Sequence, residues 1–407
     1  MKISFSAWDG SKPRADVFRY LAVMLLFAIA TGAFASILNN FLFEKAGMNH
    51  ALARGVLEFF REMPGLLLVA VLALVSRRDE WWILRAGLII AAAGAAGLLF
   101  QQENKVVVTV LIMIWSLGEH ILMPVRNSIT LHFAKPGSEG SALGAVAGLG
   151  NLGAVAGSAM VAALFYVLKR FAPQQNGYSW TFVIIVALVC AGLFTAWRVV
   201  SKGGHVKRPR MLFRRKFSKF YALEIFYGAR KQVFFTFAPY VLIMKHGMDT
   251  EHFALLAGLC GAANIFCGPI AGRIIDKLGY RTVMIWDTVF LMFVCLMYGF
   301  ADRVFPSGLA FALLCANYLL DAIITNASLA TNVYVKELSD SREEFTSTLS
   351  TGISVNHFIS ILVALFGGWV WTRFGVEVLF TFSAAMAVGN TLFAMTIPKS
   401  GAQERRA

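Results

Sequence analysis

Charged residues are scarce in this chain. Asp, Glu, Lys and Arg together make up 15% of its 407 residues, whereas soluble domains carry roughly 25%. Hydrophobic residues account for 58%, and no stretch between the apolar segments is long enough to form a separate soluble domain with its own core. This balance is typical of a chain whose solvent is lipid, so we predict an integral membrane protein.

Cysteine is also scarce, and its placement argues against redox or metal chemistry. The five cysteines all fall inside apolar segments, and none forms a CxxC pair: Cys190, Cys260, Cys267, Cys295 and Cys315. Isolated cysteines in such segments behave as small apolar packing residues. We therefore expect no disulfide, no metal site and no cofactor.

Acidic residues are outnumbered by basic ones, which gives a net charge of +14. Such a charge can indicate nucleic-acid binding, but here the basic residues gather in short loops, as expected on one side of a membrane. The longest basic run falls in residues 201–218. We interpret it as a linker that contacts anionic lipid head groups, and we expect no nucleic-acid partner.

Long apolar runs dominate the rest of the chain. A helix needs about 20 mostly apolar residues to cross the hydrocarbon core. Twelve segments qualify, and Lys and Arg are concentrated in the loops that share one side with both termini, so we expect both termini in the cytoplasm. The predicted spans are 17–43, 52–75, 82–100, 106–134, 140–168, 179–200, 219–243, 252–275, 282–301, 308–335, 344–371 and 376–397.

The two sets of six spans carry matching residues at a nearly constant offset. Gly47-Met48 follows span 1 and Gly247-Met248 follows span 7. Glu119 in span 4 matches Asp321 in span 10, and Asn151 in span 5 matches Asn356 in span 11. Together these matches indicate a parallel duplication.

The loop after span 8 carries the residues that allow a family to be named. It reads Gly272-Arg273-Ile274-Ile275-Asp276-Lys277-Leu278-Gly279-Tyr280-Arg281, and it resembles the G-x-x-x-D-[RK]-x-G-x-[RK] loop of the major facilitator superfamily. The first-half loop around Asp79 lacks the glycines, span 4 lacks the RxxQG-like pattern, and span 5 lacks the Gly-Pro pair of drug–proton antiporters, so the subfamily stays open.

This resemblance implies a fold and a role for the loop. The fold would be all-α, with twelve transmembrane helices in two pseudo-symmetric six-helix bundles, at residues 1–200 and 219–407, joined by the linker 201–218. The loop would act as a conformational latch, a term used below for Gly272, Asp276, Lys277, Gly279 and Arg281. The competing interpretation of these residues is an ordinary solvated loop.

Ionisable residues within the spans avoid the helices that the resemblance places against lipid. Such groups are costly in a membrane and usually mark a pathway. Spans 3, 6 and 12 have none away from their ends, and span 9 has only Asp287, which its distance from Arg281 places near the cytoplasmic face. The alternative is that the charges pair with one another to hold helices together, and for Arg61, His120 and His357 the two interpretations are equally open.

Helical spacing groups these residues on common faces. Arg61 and Glu62 share a face with Glu58, and Glu119 and Arg126 lie seven residues apart on another. Pro64-Gly65, Pro124, Pro239 and Gly268-Pro269 are expected to break their helices locally. Predicted substrate contacts near mid-span are Arg61, Glu62, Glu119, His120, Arg126, Asn151, Arg230, Lys231, Asp321, Asn356 and His357.

The pattern as a whole predicts a carrier and no catalytic residue. We expect secondary active transport of a small polar solute, anionic or zwitterionic, by alternating access and proton symport, with proton-coupling groups at Glu62, Glu119, Glu224 and Asp321. The partners would be the solute, protons and membrane lipids, and the protein would be a monomer in a bacterial inner membrane. Efflux of an amphipathic compound and a non-transporting membrane sensor remain the alternatives.

Overall fold

The computed structural model describes residues 7–75, 78–204 and 213–399. Within these ranges the chain is helical, with no β-strand and one isolated bridge between Trp8 and Ala134. The predicted all-α fold is confirmed. The helices are α1 (Arg14–Glu44), α2 (Ala51–Leu66), α3 (Leu68–Val75), α4 (Glu80–Phe100), α5 (Lys105–Phe133), α6 (Glu139–Phe171), α7 (Gly177–Trp197), α8 (Ser218–His246), α9 (Thr250–Leu278), α10 (Tyr280–Val304), α11 (Ser307–Ile324), α12 (Leu329–Leu338), α13 (Arg342–Phe374) and α14 (Val376–Met395).

Most of the predicted spans correspond to helices that can cross a membrane. In the described part of the chain, ten helical segments are long and apolar enough, with α11 and α12 counted as one segment, Ser307–Leu338. Large apolar side chains such as Phe100 point outward from them, as lipid contact requires. The two remaining predicted spans are α2 with α3, and α8, and these carry the densest charge.

Proline interrupts fewer helices than the sequence suggested. The expected break near Pro64-Gly65 is present, because α2 ends at Leu66 and α3 begins at Leu68. The breaks expected at Pro124, Pro239 and Pro269 are wrong, since each proline lies inside a continuous helix; neighbouring helices in a membrane can satisfy the freed backbone groups. A break that the sequence did not indicate is the 3₁₀ turn Thr325–Ser328 between α11 and α12.

The helices group into two compact units. The first holds the described residues within Met1–Gly47, Leu67–Arg208 and Asp249–Ala262, and the second those within Met48–Leu66, Pro209–Met248 and Ala263–Ala407. By contact, α2 therefore groups with the second unit. The domain boundaries predicted at 201–218 stay a prediction.

Close helix contacts in the first unit depend on glycine. α1 packs against α6 and α7, and α4 packs against α5. A Cβ on Gly32 of α1 would lie 2.5 Å from Ala154 Cα, and a Cβ on Gly94 of α4 would lie 2.5 Å from the Trp115 backbone nitrogen. Small residues at such crossings let helix backbones approach, which is the main source of helix association in lipid.

The second unit is assembled around α13 and α10. α2 packs against α13 and α8, and α10 packs against α14 and α11. The crossing of α2 and α13 is tight, since a Cβ on Gly368 would lie 2.8 Å from the Ala51 carbonyl oxygen. This crossing holds the charged face of α2 against α8 and α13, where the candidate site lies.

Carboxylates bind both ends of the linker 201–218. Asp16 accepts hydrogen bonds from the backbone N–H groups of Val200 and Ser201, and Glu80 accepts one from that of Gly204. Further along, the Lys216 ammonium donates to Asp340 and Glu344, and these bonds raise the pKa of Lys216.

Several residues used in the orientation argument lie outside the described residues. These are residues 205–212 of the basic linker, together with Lys2, Arg77, Arg405 and Arg406.

Glycines in the left-handed region mark equivalent points in the two halves. Gly47, after α1, has φ 63°, and Gly247, which caps α8, has φ 66°. Glycine adopts this backbone conformation at the end of a helix without steric cost. The two positions are the ones that the internal repeat paired, so the duplication extends to local backbone geometry.

Candidate functional site

A buried carboxylate on α2 is the centre of an ionic network in the second unit. Glu58 accepts a hydrogen bond from Arg54 one turn earlier and two from Arg61 one turn later, with shortest separations of 2.6 Å to each residue. The Gln232 amide of α8 donates to the same carboxylate at 3.1 Å. The side chains of Arg54 and Glu58 are fully buried. Two guanidinium groups and an amide thus compensate for the desolvation of one carboxylate, which indicates a structural ion pair.

Glu62, one turn beyond Glu58, connects α2 to α13. Its carboxylate lies 2.5 Å from Arg61 Nη2 and 2.9 Å from His357 Nδ1. When Nδ1 carries a proton it donates to Glu62, and the ring becomes a cation if the other nitrogen is protonated as well. Arg61, Glu62 and His357, predicted independently as site residues, are therefore brought into direct contact.

A second chain of contacts joins α8 to α13 through an amide. The Lys231 ammonium donates to Asn356 Oδ1 at 3.1 Å, and Asn356 Nδ2 donates to Glu224 at 3.2 Å. Lys231 attracts Glu62 and Glu224 electrostatically but forms no ion pair with a carboxylate in the described part of the chain. Its charge is thus only partly compensated by the protein.

The neighbouring residue on α8 makes a direct ion pair. Arg230 Nη1 lies 2.7 Å from Asp321 Oδ1 of α11, and the Tyr227 ring lies 5.6 Å from the guanidinium carbon. Arg230 is 2% exposed and Asp321 is 18% exposed. Adjacent cations on α8 thus have different partners: Arg230 has a carboxylate, and Lys231 has an amide.

The first unit contains a cavity of about 320 Å³ between α1, α5 and α6, with a mostly apolar lining and four polar side chains. Glu119, Arg126 and Asn151 all line it, together with Thr31. The Arg126 guanidinium makes no hydrogen bond or ion pair with any described residue, although its backbone carbonyl accepts from Tyr20. The cavity is therefore lined by a cation and a carboxylate of α5 and by neutral polar groups of α1 and α6.

His120 is placed apart from this cavity wall. Its ring is buried, and Nδ1 lies 2.8 Å from the Ser116 carbonyl oxygen and 3.1 Å from the Ser116 hydroxyl, one turn earlier on α5. This is the arrangement of a satisfied polar packing residue. A role for His120 in substrate contact stays a prediction.

The predicted latch lies where α9 meets α10. Asp276 and Lys277 are exposed in the last turn of α9, and Gly279 precedes α10 with φ 78°. Arg281 donates to the Met395 carbonyl at the end of α14, at 2.6 Å. Gly272 lies further back in α9, which ends at Leu278. The latch role of these residues stays a prediction.

Sequence reasoning missed three residues in the network. Arg54 was not among the predicted site residues, but it lies in α2 and is fully buried; its position four residues before Glu58 was the available signal. Gln232 is uncharged and gave no signal. Asp287 interacts electrostatically with Arg230 and Asp321, which the sequence did not indicate; its predicted place near the cytoplasmic face stays a prediction.

Comparison with known proteins agrees with this architecture. A sequence model described as the Major Facilitator Superfamily matches residues 20–334. The sequence matches no curated protein. Among solved structures, the nucleoside transporter NupG has a TM-score of 0.73 at 14% identity and covers 94% of this chain and 98% of its own.

Two further structures show the same likeness. A D-xylose-proton symporter has a TM-score of 0.71 at 15% identity, covering 95% of this chain and 98% of its own. A peptide transporter POT, a point mutant in complex with sulfate, has a TM-score of 0.74 at 13% identity and covers 97% of this chain and 96% of its own. At these identities the likeness shows the fold.

Proposed function

Because the chain belongs to the major facilitator superfamily, whose members are transporters and not enzymes, we propose that it is a proton-coupled symporter of a small anionic or zwitterionic solute, working by alternating access. The protein is an integral membrane protein that moves a small molecule. Residence in a bacterial inner membrane, cytoplasmic termini, contact of the basic linker with anionic lipid, and a monomeric state are parts of the same proposal.

The observation that carries the proposal is the Arg126 guanidinium in the cavity of the first unit. Within the described chain it has no hydrogen bond or ion pair, and it shares the cavity with Glu119 and Asn151. An arginine inside a membrane protein faces water, a partner or a ligand. A planar guanidinium binds a carboxylate or phosphate in a bidentate manner, while Glu119 provides a counter-charge for a cationic group on the same solute.

Lys231 supports the same solute class from the second unit. Its ammonium is held by an amide oxygen and not by a carboxylate, so it retains the capacity to bind an anion. By contrast, Arg61 and Arg230 are already engaged by Glu62 and Asp321. We assign these two arginines to maintaining the site, and we assign Arg126 and Lys231 to contacting the solute.

Proton coupling rests on buried carboxylates whose partners can titrate or leave. Glu62 is bonded to His357, and Glu224 is bonded only to the neutral Asn356 amide among described residues. A buried carboxylate can take up a proton when its partner moves away, because desolvation disfavours the charged form. We propose Glu62, Glu119, Glu224 and Asp321 as the proton-coupling set.

A two-stage experiment tests the solute class. The purified protein is first screened by thermal shift against sugars, carboxylates, amino acids and phosphorylated metabolites. Each stabilising compound is then assayed by counterflow in proteoliposomes. We expect the active compounds to carry a carboxylate or phosphate, and we expect Arg126→Gln to abolish their counterflow.

The matched control for Arg126→Gln is Arg303→Gln, which alters an exposed arginine at the end of α10; its counterflow should equal that of the wild type. Selection of neutral sugars or amphipathic cations would contradict the proposal and favour efflux. Stabilisation by a compound that is never exchanged would favour a sensor. Uptake that ignores a pH gradient in the wild type and in Glu119→Gln and Asp321→Asn would refute proton coupling.

A further inference from the structure

The ionisable groups of the second unit do not balance in charge. Away from the helix ends, the described residues of α2, α8, α10, α11 and α13 include four cations and five carboxylates, besides His357. The groups are Arg54, Arg61, Arg230 and Lys231 against Glu58, Glu62, Glu224, Asp287 and Asp321. An unpaired charge buried in a low-dielectric site is strongly disfavoured. The five carboxylates thus outnumber the four permanent cations by one, and a proton on one carboxylate restores the balance.

Hydrogen bonds identify which carboxylate is the surplus one. Glu58 and Glu62 accept from arginine, Asp321 accepts from Arg230, and Glu224 accepts from the Asn356 amide. Asp287 differs, because its Oδ1 is buried and has no hydrogen-bond partner among the described residues. A carboxylate oxygen in this position is poorly solvated and is better accommodated as a neutral acid.

The same location contains a donor that is also unused. Arg230 binds Asp321 through Nη1, while its Nη2 is buried without a hydrogen-bond partner among the described residues. Arg230 also attracts Asp287 electrostatically. One guanidinium thus interacts electrostatically with two aspartates and is hydrogen-bonded to one of them.

We propose that Asp287 and Asp321 share one proton and one guanidinium, and that Asp287 stores the coupling proton. In the observed arrangement Arg230 pairs with ionised Asp321 while Asp287 is protonated. In the alternative arrangement the Asp287 O–H bond breaks, the proton forms an O–H bond on Asp321, and Arg230 turns to ionised Asp287. Each arrangement holds one cation, one carboxylate and one carboxylic acid, so the charge is conserved.

The Asp287 oxygen without a hydrogen-bond partner is buried, and the Asp321 side chain is 18% exposed. Both residues are only partly buried as a whole, so burial alone does not give the relay a direction. This inference rests on the proposed proton-coupled function and adds to it a residue on α10 that the predicted proton-coupling set did not contain.

The surroundings of Asp287 contain few other titratable groups. Arg230 and Tyr227 approach from α8, Asp321 from α11, and Cys295 lies further along α10. Tyr227 in turn interacts with Glu224 and with the Ser328 hydroxyl. The contacts of α14 with α10 involve hydroxyl groups, since Thr391 bonds Thr288 and Ser383 bonds Cys295. The two aspartates and the arginine therefore dominate the titration.

Infrared difference spectroscopy of the purified protein tests the inference without any solute. We expect the wild type at neutral pH to show a carbonyl band of protonated carboxyl groups, and we expect Asp287→Asn to lose one component of it. Asp302→Asn, the same substitution near the end of the same helix, is the control and should keep the whole band. A band of unchanged intensity in Asp287→Asn would overturn the proposal.

Transport provides the second measurement. Asparagine mimics a permanently protonated Asp287 and retains the Arg230–Asp321 pair, so the variant should fold and catalyse counterflow. Accumulation driven by a pH gradient should be lost. Gradient-driven accumulation at the wild-type level would overturn the proposal, whereas a wild type with the infrared band but no pH-dependent uptake would refute the proposed symport and leave the proton assignment standing.

Discussion

Replacing Glu58 by glutamine should strongly destabilise the protein, because the substitution removes one member of a buried ion pair. Glu58 accepts from Arg54 and Arg61 at 2.6 Å, and the Arg54 and Glu58 side chains are fully buried. Removing one partner from a buried pair costs about 3–5 kcal/mol. Arg61 keeps Glu62 as a partner, so the loss falls chiefly on Arg54.

The expected fall in melting temperature follows from this energy. Domains at the large end of the usual range shift by about 2 °C for each kcal/mol. The Glu58→Gln variant should therefore melt on the order of 6–10 °C below the wild type. Thermal unfolding in detergent, followed by intrinsic tryptophan fluorescence, measures this shift.

Two further variants distinguish the effect of breaking a buried ion pair from the effect of losing any carboxylate. Glu377→Gln breaks an ion pair whose arginine is 66% exposed, and it should change stability by less than about 1 kcal/mol. A double variant, Arg54→Met with Glu58→Leu, replaces the pair by apolar groups and should be more stable than Glu58→Gln. The reasoning is refuted if Glu58→Gln melts within the range of Glu377→Gln.

Two further predictions concern groups outside the ionic network. Asp276→Asn should slow counterflow and shift the distribution between conformations, measured by labelling of introduced cysteines, because the resemblance assigns Asp276 to the latch; unchanged rates and populations would remove that role. For Asp249, burial raises the pKa, but hydrogen bonds from His252 and Lys169 outweigh it and hold the pKa below its ordinary value of 3.8. A lowered pKa stabilises the folded state above the unfolded pKa and loses that effect as the pH falls through the folded value. Asp249→Asn should therefore lower the melting temperature at pH 7, with the difference from the wild type disappearing in acid; a difference independent of pH would contradict this.

Apolar runs and charge spacing predicted much of this fold. Length and hydropathy placed the spans because each helix must satisfy its own backbone in lipid. Spacing along one helix also predicted that Glu119 and Arg126 share a face, and both line one cavity. Such local regularities are visible in the sequence because they involve residues within two helical turns.

Contacts between distant segments were the part that could not be predicted. Glu62 and His357 were both candidates, but their bond joins residues separated by 295 positions. The interactions of Asp287 with Arg230 and Asp321 were not predicted, because counting residues from Arg281 gives depth along a helix and not the direction in which a side chain points. Arg54 was not selected as a site residue because it lies near the end of its predicted span, and such ends are uncertain by about one or two residues.

The amide of Asn356 has a consequence for the charges on either side of it. It donates to Glu224 and accepts from Lys231, so it separates two opposite charges that would otherwise neutralise each other. An aspartate there would pair with Lys231, but it would lose the hydrogen bond to Glu224 and repel that carboxylate. Under the proposed function, the neutral amide therefore holds Glu224 and leaves part of the Lys231 charge for a bound anion.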